Sequence, residues 1–384
     1  LVVERDPHFR AECQALAEAL RGHRTIEALR SSPAWKELGP RLTRVLSTVH
    51  RYEPHAEPAP ATSSERVLAV QWNIEHGNWY EQVEQALLSH PMLQAADVLF
   101  FNEIDFGMAR AANRDVTGDL ARALGFHACW APLFLETTVG RDDDAQTAGD
   151  GRNQEGLFGV AILSRWPIGE VRIVELPSPE RYQFDLERMY GRHIALIATI
   201  ERPGAPFVAV STHLEVHRTR EDRARQVRAT VAALRGVTHP LILAGDFNSH
   251  TFDRGRVWDS IAGALVILTW PSRPLLRRLL FPDRGGAREP LFDVLRDADF
   301  EWDRYNDRRP TLRLRFSRLD EAQLLLKVFG SSTKRVLGWA ERRGRLRLDW
   351  FAARGWREGR GATVAGLDGP GKASDHAPIV AEFR

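Results

Sequence analysis

The chain has little cysteine, little lysine and no long apolar run. Its two cysteines, Cys13 and Cys129, exclude a disulfide framework and a cysteine-built zinc cluster. No apolar stretch reaches the ~18–20 residues that span a bilayer, so no transmembrane segment is expected. Lysine occurs only at Lys36, Lys327, Lys334 and Lys372, and every other Lys/Arg position is arginine. Arginine's planar fork suits bidentate phosphate contacts, although a GC-rich genome produces the same bias. The formal net charge is +2, so bulk electrostatics give nucleic acid no long-range attraction.

What is present describes a globular protein. Of 384 residues, 43% are hydrophobic and 27% charged, enough for a substantial core in one large domain or two ordinary ones. Residues 1–52 carry helical periodicity, with Cys13, Leu16, Ala17 and Leu20 on one line and Leu42, Val45 and Leu46 on another. Pro54, Pro58 and Pro60, among small polar residues, mark a linker at 53–65. A motif-bearing domain is expected over 66–384, with residues 1–52 separable from its chemistry. Oligomeric state is open, and so is the compartment: cytoplasmic, or secreted if a signal peptide precedes Leu1.

From residue 66 onward, short apolar segments alternate with helical ones. Residues 67–70, 98–101, 158–163, 194–200, 207–210, 241–244, 346–351 and 379–383 read as strands. The pair 194–200 and 207–210 forms a hairpin pattern with Pro203-Gly204 in its turn. Residues 221–234 read as an amphipathic helix with Val227, Val231 and Leu234 on its apolar line, and Pro91 stops a helix near Ser89. No fixed-period repeat occurs. Strands and helices without strict alternation predict an α/β sandwich, two packed sheets with helices outside.

Five motifs stand in order: Gln71-Trp72-Asn73-Ile74-Glu75-His76-Gly77, Phe101-Asn102-Glu103-Ile104-Asp105, Ser211-Thr212-His213-Leu214, Gly245-Asp246-Phe247-Asn248 and Ser374-Asp375-His376. Each brings Asn, Asp, Glu or His to the end of a strand-like run, the residue types that hold a hard metal ion and move protons around a phosphate. Hydrolysis of a phosphodiester needs a cation near the anion, a base for water and an acid for the leaving oxygen. Glu103 follows four apolar residues, where a buried carboxylate is costly without a cation. Asp246 and Asn248, two apart on an extended segment, share a face.

Together these motifs resemble the endonuclease/exonuclease/phosphatase superfamily, metal-dependent phosphoester hydrolases with a DNase I-like fold. The likeness covers about 66–384, apart from a poorly matched stretch at about 266–345. It implies a four-layered α/β sandwich, a Mg²⁺ cofactor that Mn²⁺ can replace, and a phosphodiester substrate. Glu103 would be the principal metal ligand, with Asn73 in support and Asp375 completing the metal side. Asp246 would orient or activate water, and Asn248 would contact the phosphate. Asp349, within Arg347-Leu348-Asp349-Trp350-Phe351, and His376 resemble the family's Asp–His pair. The carboxylate would fix the ring's tautomer, making His376 a general base or phosphate polariser. His213 would act as acid for the leaving group or bind phosphate, as in the branch of DNase I and the neutral sphingomyelinases. The abasic-site endonuclease branch lacks this Thr-His-Leu form. Asn153, in the loop before residues 158–163, is a candidate to reach substrate. Asp142-Asp143-Asp144 reads as a solvated loop, and His76, His217 and His250 flank motifs without a role.

The substrate is less legible. Ser249-His250 follows Asn248 where inositol polyphosphate 5-phosphatases carry Arg, and their Pro-x-Trp-x-Asp-Arg stretch is absent. A soluble inositol phosphate is therefore disfavoured. The Arg/Leu stretch at 273–288 suits a membrane surface, nucleic-acid phosphates, or simply an amphipathic helix packed on its own domain. The expected function is a Mg²⁺-dependent phosphodiesterase acting on a lipid head group or another small diester. A nuclease is the alternative. A non-enzymatic interaction module is the second, and the full set of site residues stands against it.

Overall fold

The computed structural model describes residues 6–23, 26–54, 65–140, 143–177, 188–254, 257–314, 339, 341 and 343–384. The linker expected at 53–65 therefore lies outside the described residues except at 53, 54 and 65. The chain opens with helices α1 (Pro7–Arg21), α2 (Ile26–Arg30) and α3 (Trp35–Leu46), followed by strand β1 (His50–Tyr52). Then come β2 (Val67–His76), α4 (Tyr80–Ser89), β3 (Val98–Phe106), α5 (Val116–Leu124), β4 (His127–Glu136) and α6 (Asp143–Ala148). Five strands follow: β5 (Leu157–Ser164), β6 (Ile168–Glu175), β7 (Met189–Gly191), β8 (Ile194–Ile200) and β9 (Phe207–His213). Helix α7 (Arg220–Ala233) leads to β10 (Leu241–Asp246), α8 (Val257–Thr269), α9 (Ser272–Leu280) and α10 (Leu291–Asp297). The chain closes with β11 (Leu312–Arg313), β12 (Arg345–Leu346), β13 (Asp349–Arg354), β14 (Gly359–Thr363) and β15 (Ile379–Phe383).

Two sheets carry the architecture. The larger runs β1-β4-β5-β3-β2-β15-β14, with β7 paired to β4, and the smaller runs β13-β10-β9-β8-β6. Alternation along the strands decides what each face covers. In β10, Ile242 and Ala244 point between the sheets, where they meet Val98 and Phe100 of β3 and Phe351 of β13. Leu241 and Leu243 point outward onto Val227 of α7 and Leu291 and Leu295 of α10. In β2, Val67 and Ala69 face inward, while Val70, Trp72 and Ile74 face the outer helices. The result is helices, sheet, sheet, helices: the four-layered sandwich expected. Among the described residues no helix is long and apolar enough to cross a membrane.

The N-terminal segment differs from its sequence reading. Helix α1 forms as expected, with Asp6 accepting from the His8 N–H, Pro7 in the first turn, and Cys13, Leu16 and Leu20 buried. However, residues 50–52 are a strand, not helix, and β1 pairs antiparallel with β4 at the edge of the large sheet. Cys13, Leu16, Leu42 and Leu46 belong to the same buried cluster as Trp72 and Trp130. At about 2 kcal/mol per buried leucine, removing residues 1–52 would strip the sheet of cover, so they are not separable from its stability.

The stretch at 273–288 takes the form of the amphipathic helix packed on its own domain. Leu275 and Leu279 of α9 are fully buried and pack with Ile267, Leu346 and Leu348. Arg278 donates to the Thr251 carbonyl and lies 4.3 Å over the Phe252 ring, while Arg284 and Arg288 pair with Asp303 and Asp293. The apolar line is turned inward, because it is the face that seats the helix on its own neighbours.

His50 is the hinge of the N-terminal packing. Its ring lies 5.0 Å from Phe9, 4.9 Å from Phe106 and 5.3 Å from Trp130, and its Nε2 is enclosed without a hydrogen-bond partner. Burial pulls its pKa from 6.5 down to about 4. The unfolded ring takes a proton below ~6.5 and the folded ring does not, so stability is full above that pH and falls as pH drops toward 4. Between pH 7 and pH 5 the wild type should lose about 2 kcal/mol more unfolding free energy than His50→Gln. Urea midpoints at the two pH values check this, and equal losses in both proteins would refute it.

Candidate active site

Each sheet has a parallel pair at its centre, β2 with β3 and β9 with β10, flanked by antiparallel neighbours. The carboxyl ends of these four strands deliver Asn73, Glu103, His213 and Asp246. Strand β13 runs antiparallel to β10, which sets Asp349 opposite Asp246. Strand β15 runs antiparallel to β2, so the residues just before it, including His376, return to the same end. Gly245 is required here by close approach: a Cβ would stand 1.8 Å from the Thr212 carbonyl oxygen.

Glu103 is aimed by backbone strain. The register shifts between Asn102 and Ile104, and Glu103 has φ +50°, a left-handed conformation uncommon for a side-chain-bearing residue. Its Oε1 accepts from Asn73 Nδ2 at 3.0 Å, and the same amide donates to Asp246 Oδ2 at 3.2 Å. His213 Nε2 stands 3.8 Å from Glu103 Oε1 and 3.7 Å from Asp246 Oδ2. The ligand-type atoms of Glu103, His213 and Asp246 all lie within 4.8 Å of one another, and so do those of Asp246, Asp349 and His376. Two carboxylates converging without a buried arginine between them fit a hard divalent cation. Glu103 and Asp246 are the groups that would hold it, with the Asn73 amide fixing both carboxylates.

The second half of the site is an ion pair. Asp349 Oδ2 and His376 Nδ1 are 2.7 Å apart. Burial alone would lower the His376 pKa, but the Asp349 carboxylate outweighs it and holds the ring well above the ordinary histidine range. Burial likewise acts to raise Asp349, and the His376 ring overcomes it. Asp246 is raised by burial and by the nearby Asp349 charge. Burial pulls His213 down to about 4, so its ring is neutral near pH 7.

Behind these groups lies a shell that sequence reading left without roles. Gln71 Nε2 donates to Asn102 Oδ1 at 2.9 Å and to Asp349 Oδ1 at 3.2 Å. Asn102 Oδ1 also accepts the Asp246 backbone N–H at 2.6 Å, and its Nδ2 donates to the Thr212 carbonyl at 3.1 Å. Ser374 Oγ donates to the Asn73 carbonyl and accepts the His376 N–H, while Trp72 Nε1 donates to the His376 carbonyl. The available signal was an uncharged polar residue inside an apolar strand, at Gln71 and Asn102, which burial obliges to find partners.

Other candidates fall elsewhere. Asn153 spends its amide on loop backbone: Oδ1 accepts from the Ala109 N–H, and Nδ2 donates to the Glu136 and Thr138 carbonyls. These bonds clamp the loop before β5. Asn248 Nδ2 donates to the Leu214 carbonyl at 2.7 Å, which ties the His213 loop to the Asp246 loop. Asp375 is half-buried and, among the described residues, joins neither convergent group, acting on His376 as a neighbouring charge. Asp144 is not in a solvated loop. It accepts from Asn78, stands 3.5 Å from the buried Arg110 and is 3.7 Å from His76, whose Nε2 lies 3.6 Å from Glu103. His250 and Arg223 form a buried network with Glu289 behind the His213 loop, and the His217 N–H donates to Glu215.

Comparison with known proteins bears on the same residues. No curated protein matches this chain. Among solved structures it is similar to an endonuclease/exonuclease/phosphatase from Beutenbergia cavernae, at 19% identity over 83% of this chain and 71% of that one, with a TM-score of 0.46. It is similar to the human nocturnin catalytic domain with bound sulfate, at 14% identity over 88% and 97%, with a TM-score of 0.43. A third is beta toxin from Staphylococcus aureus, at 15% identity over 82% and 99%, with a TM-score of 0.48. The Endonuclease/Exonuclease/phosphatase family profile matches residues 70–376, from the strand that carries Asn73 to His376 itself, and the chain belongs to that family.

Proposed function

We propose that this protein is a divalent-metal-dependent phosphodiesterase acting on a lipid head group or another small phosphodiester. The carrying observation is the meeting of Glu103, His213 and Asp246 with the Asp349–His376 pair at one end of two sheets. A divalent ion at the Glu103 side, Mg²⁺ or Mn²⁺, would supply charge neutralisation at the phosphate when bound. The remaining work falls to the chain's own groups. Asp246, held by the Asn248 and Asn102 contacts, is placed to accept a proton from the attacking water. His376 is held protonated by Asp349, which suits it to polarise a phosphate oxygen or return a proton to the leaving oxygen. His213, neutral, serves as a hydrogen-bond partner rather than an acid.

Bis-(p-nitrophenyl) phosphate hydrolysis tests this directly. EDTA should abolish turnover and Mg²⁺ or Mn²⁺ should restore it, while full activity after metal stripping would sink the reading. Glu103→Ala should raise the metal concentration needed for half activity.

His376→Ala and Asp246→Ala should each lower kcat about 10²–10⁴-fold with the fold retained by circular dichroism. Asp349→Asn should cost less than His376→Ala, since the imidazole remains. Wild-type kcat in Asp349→Asn would show that the pair has been given the wrong role.

A further inference from the structure

The insertion between β10 and β13 carries an apolar surface that is exposed among the described residues. Seven large apolar residues are exposed among the described residues, and four are here: Trp258 at 78%, Leu265 at 53%, Trp270 at 39% and Trp339 at 38%. On α8, Trp258, Ala262, Leu265 and Thr269 follow at spacings of four, three and four, and all are exposed. That is one continuous helical line facing outward. Asp259 is the helix's one charged residue. The opposite side is already used: Gly263 faces the Phe252 ring, and Ile267 packs with Leu275, Leu279, Leu346 and Leu348.

Charge near this line is mainly basic. Residues 254–288 contain seven arginines against two aspartates, and although Arg284 and Arg288 pair with Asp303 and Asp293, a surplus of arginine remains in a chain whose net charge is only +2. The guanidinium of Arg343 lies 4.2 Å over Trp339 and bonds the Trp270 carbonyl, and that of Arg278 lies 5.6 Å from Trp270. Arg273, Arg277 and Arg345 are exposed nearby in sequence. Tryptophan with arginine at the edge of an apolar face is the composition that suits a bilayer interface, rings at head-group depth and guanidiniums toward phosphate. Nucleic acid would call for cations along the outward line itself, and that line has none.

We propose that the outward face of α8, with Trp270 and Trp339, seats on a phosphate-bearing lipid bilayer beside the active site. Phe252, against which Gly263 packs, is four residues beyond Asn248, and Leu348 is the neighbour of Asp349. The buried side of α8 thus leans on segments that flank Asn248 and Asp349, which leaves the outward face about one helix width from the site. The proposal rests on the phosphodiesterase reading for its substrate, but the surface itself can be tested apart from turnover.

The full chain is sedimented with vesicles of phosphatidylcholine containing about one-fifth phosphatidylserine, and tryptophan emission is followed with brominated acyl chains. The wild type should co-sediment and be quenched. Trp258→Ser with Leu265→Ser should lower partitioning about tenfold or more and relieve the quenching, with bis-(p-nitrophenyl) phosphate turnover unchanged. Unchanged turnover shows that the variant is folded. A wild type left in the supernatant, or a variant that binds vesicles equally well, overturns the proposal. So does a variant that loses duplex DNA binding and keeps vesicle binding. A wild type that binds vesicles and hydrolyses no diester leaves the surface standing and removes the phosphodiesterase reading.

Discussion

The Asn102 side chain is the point from which the site is built. One amide joins four strands: it accepts from Gln71 on β2 and from the Asp246 backbone on β10, and donates to Thr212 on β9, while belonging to β3. Gln71 to Asp349 and Asn73 to Asp246 also cross between the sheets, which over most of their area meet through apolar contact that is strong but indifferent to small sliding. Directional bonds in a dry interior remove that freedom, because any shift leaves a buried polar atom unpaired. Asn73, Glu103, His213 and Asp246 keep their spacing because the strand ends beneath them are tied in this way.

A second constraint is electrostatic. Asp246, Asp349 and Glu103 crowd one strand end, and the Asp349 charge disfavours that of Asp246. The fold answers the Asp349 charge with His376 and the Gln71 amide, and leaves Asp246 and Glu103 with the Asn73 amide between them. A cluster of that sign would be favoured by a nearby divalent cation. Buried Arg110 pairs with Asp105 and Glu136, which neutralises those two carboxylates near Glu103.

The outer layers show that apolar periodicity names a face without naming its neighbour. Leu42, Val45 and Leu46 lie on a helical line as their spacing demands, yet that line covers the large sheet of the motif-bearing part instead of a separate body. In the insertion, the line read from Leu275 and Leu279 is real but faces inward, and the outward one belongs to the helix before it. Periodicity identifies a face. Which neighbour meets it depends on where the chain returns.

The sequence by itself determined the strand-end chemistry and the class of fold. Alternating apolar residues and a polar terminus are local properties, so β2, β3, β9, β10 and β15 and their Asn, Glu, His and Asp residues could be found without coordinates. The Asp349–His376 pair was legible only through its likeness to a known pattern, since 27 residues separate the partners. Everything that depends on pairing across the sheets was decided by the tertiary structure: the bonds of Gln71 to Asp349, of Ser374 to Asn73, and the approach of Asp144 to His76, 278, 301 and 68 residues apart in the chain. An amide or carboxylate in a strand carries no mark of which distant partner burial will oblige it to take. That choice follows from sheet order and register, which long-range packing sets and local sequence does not.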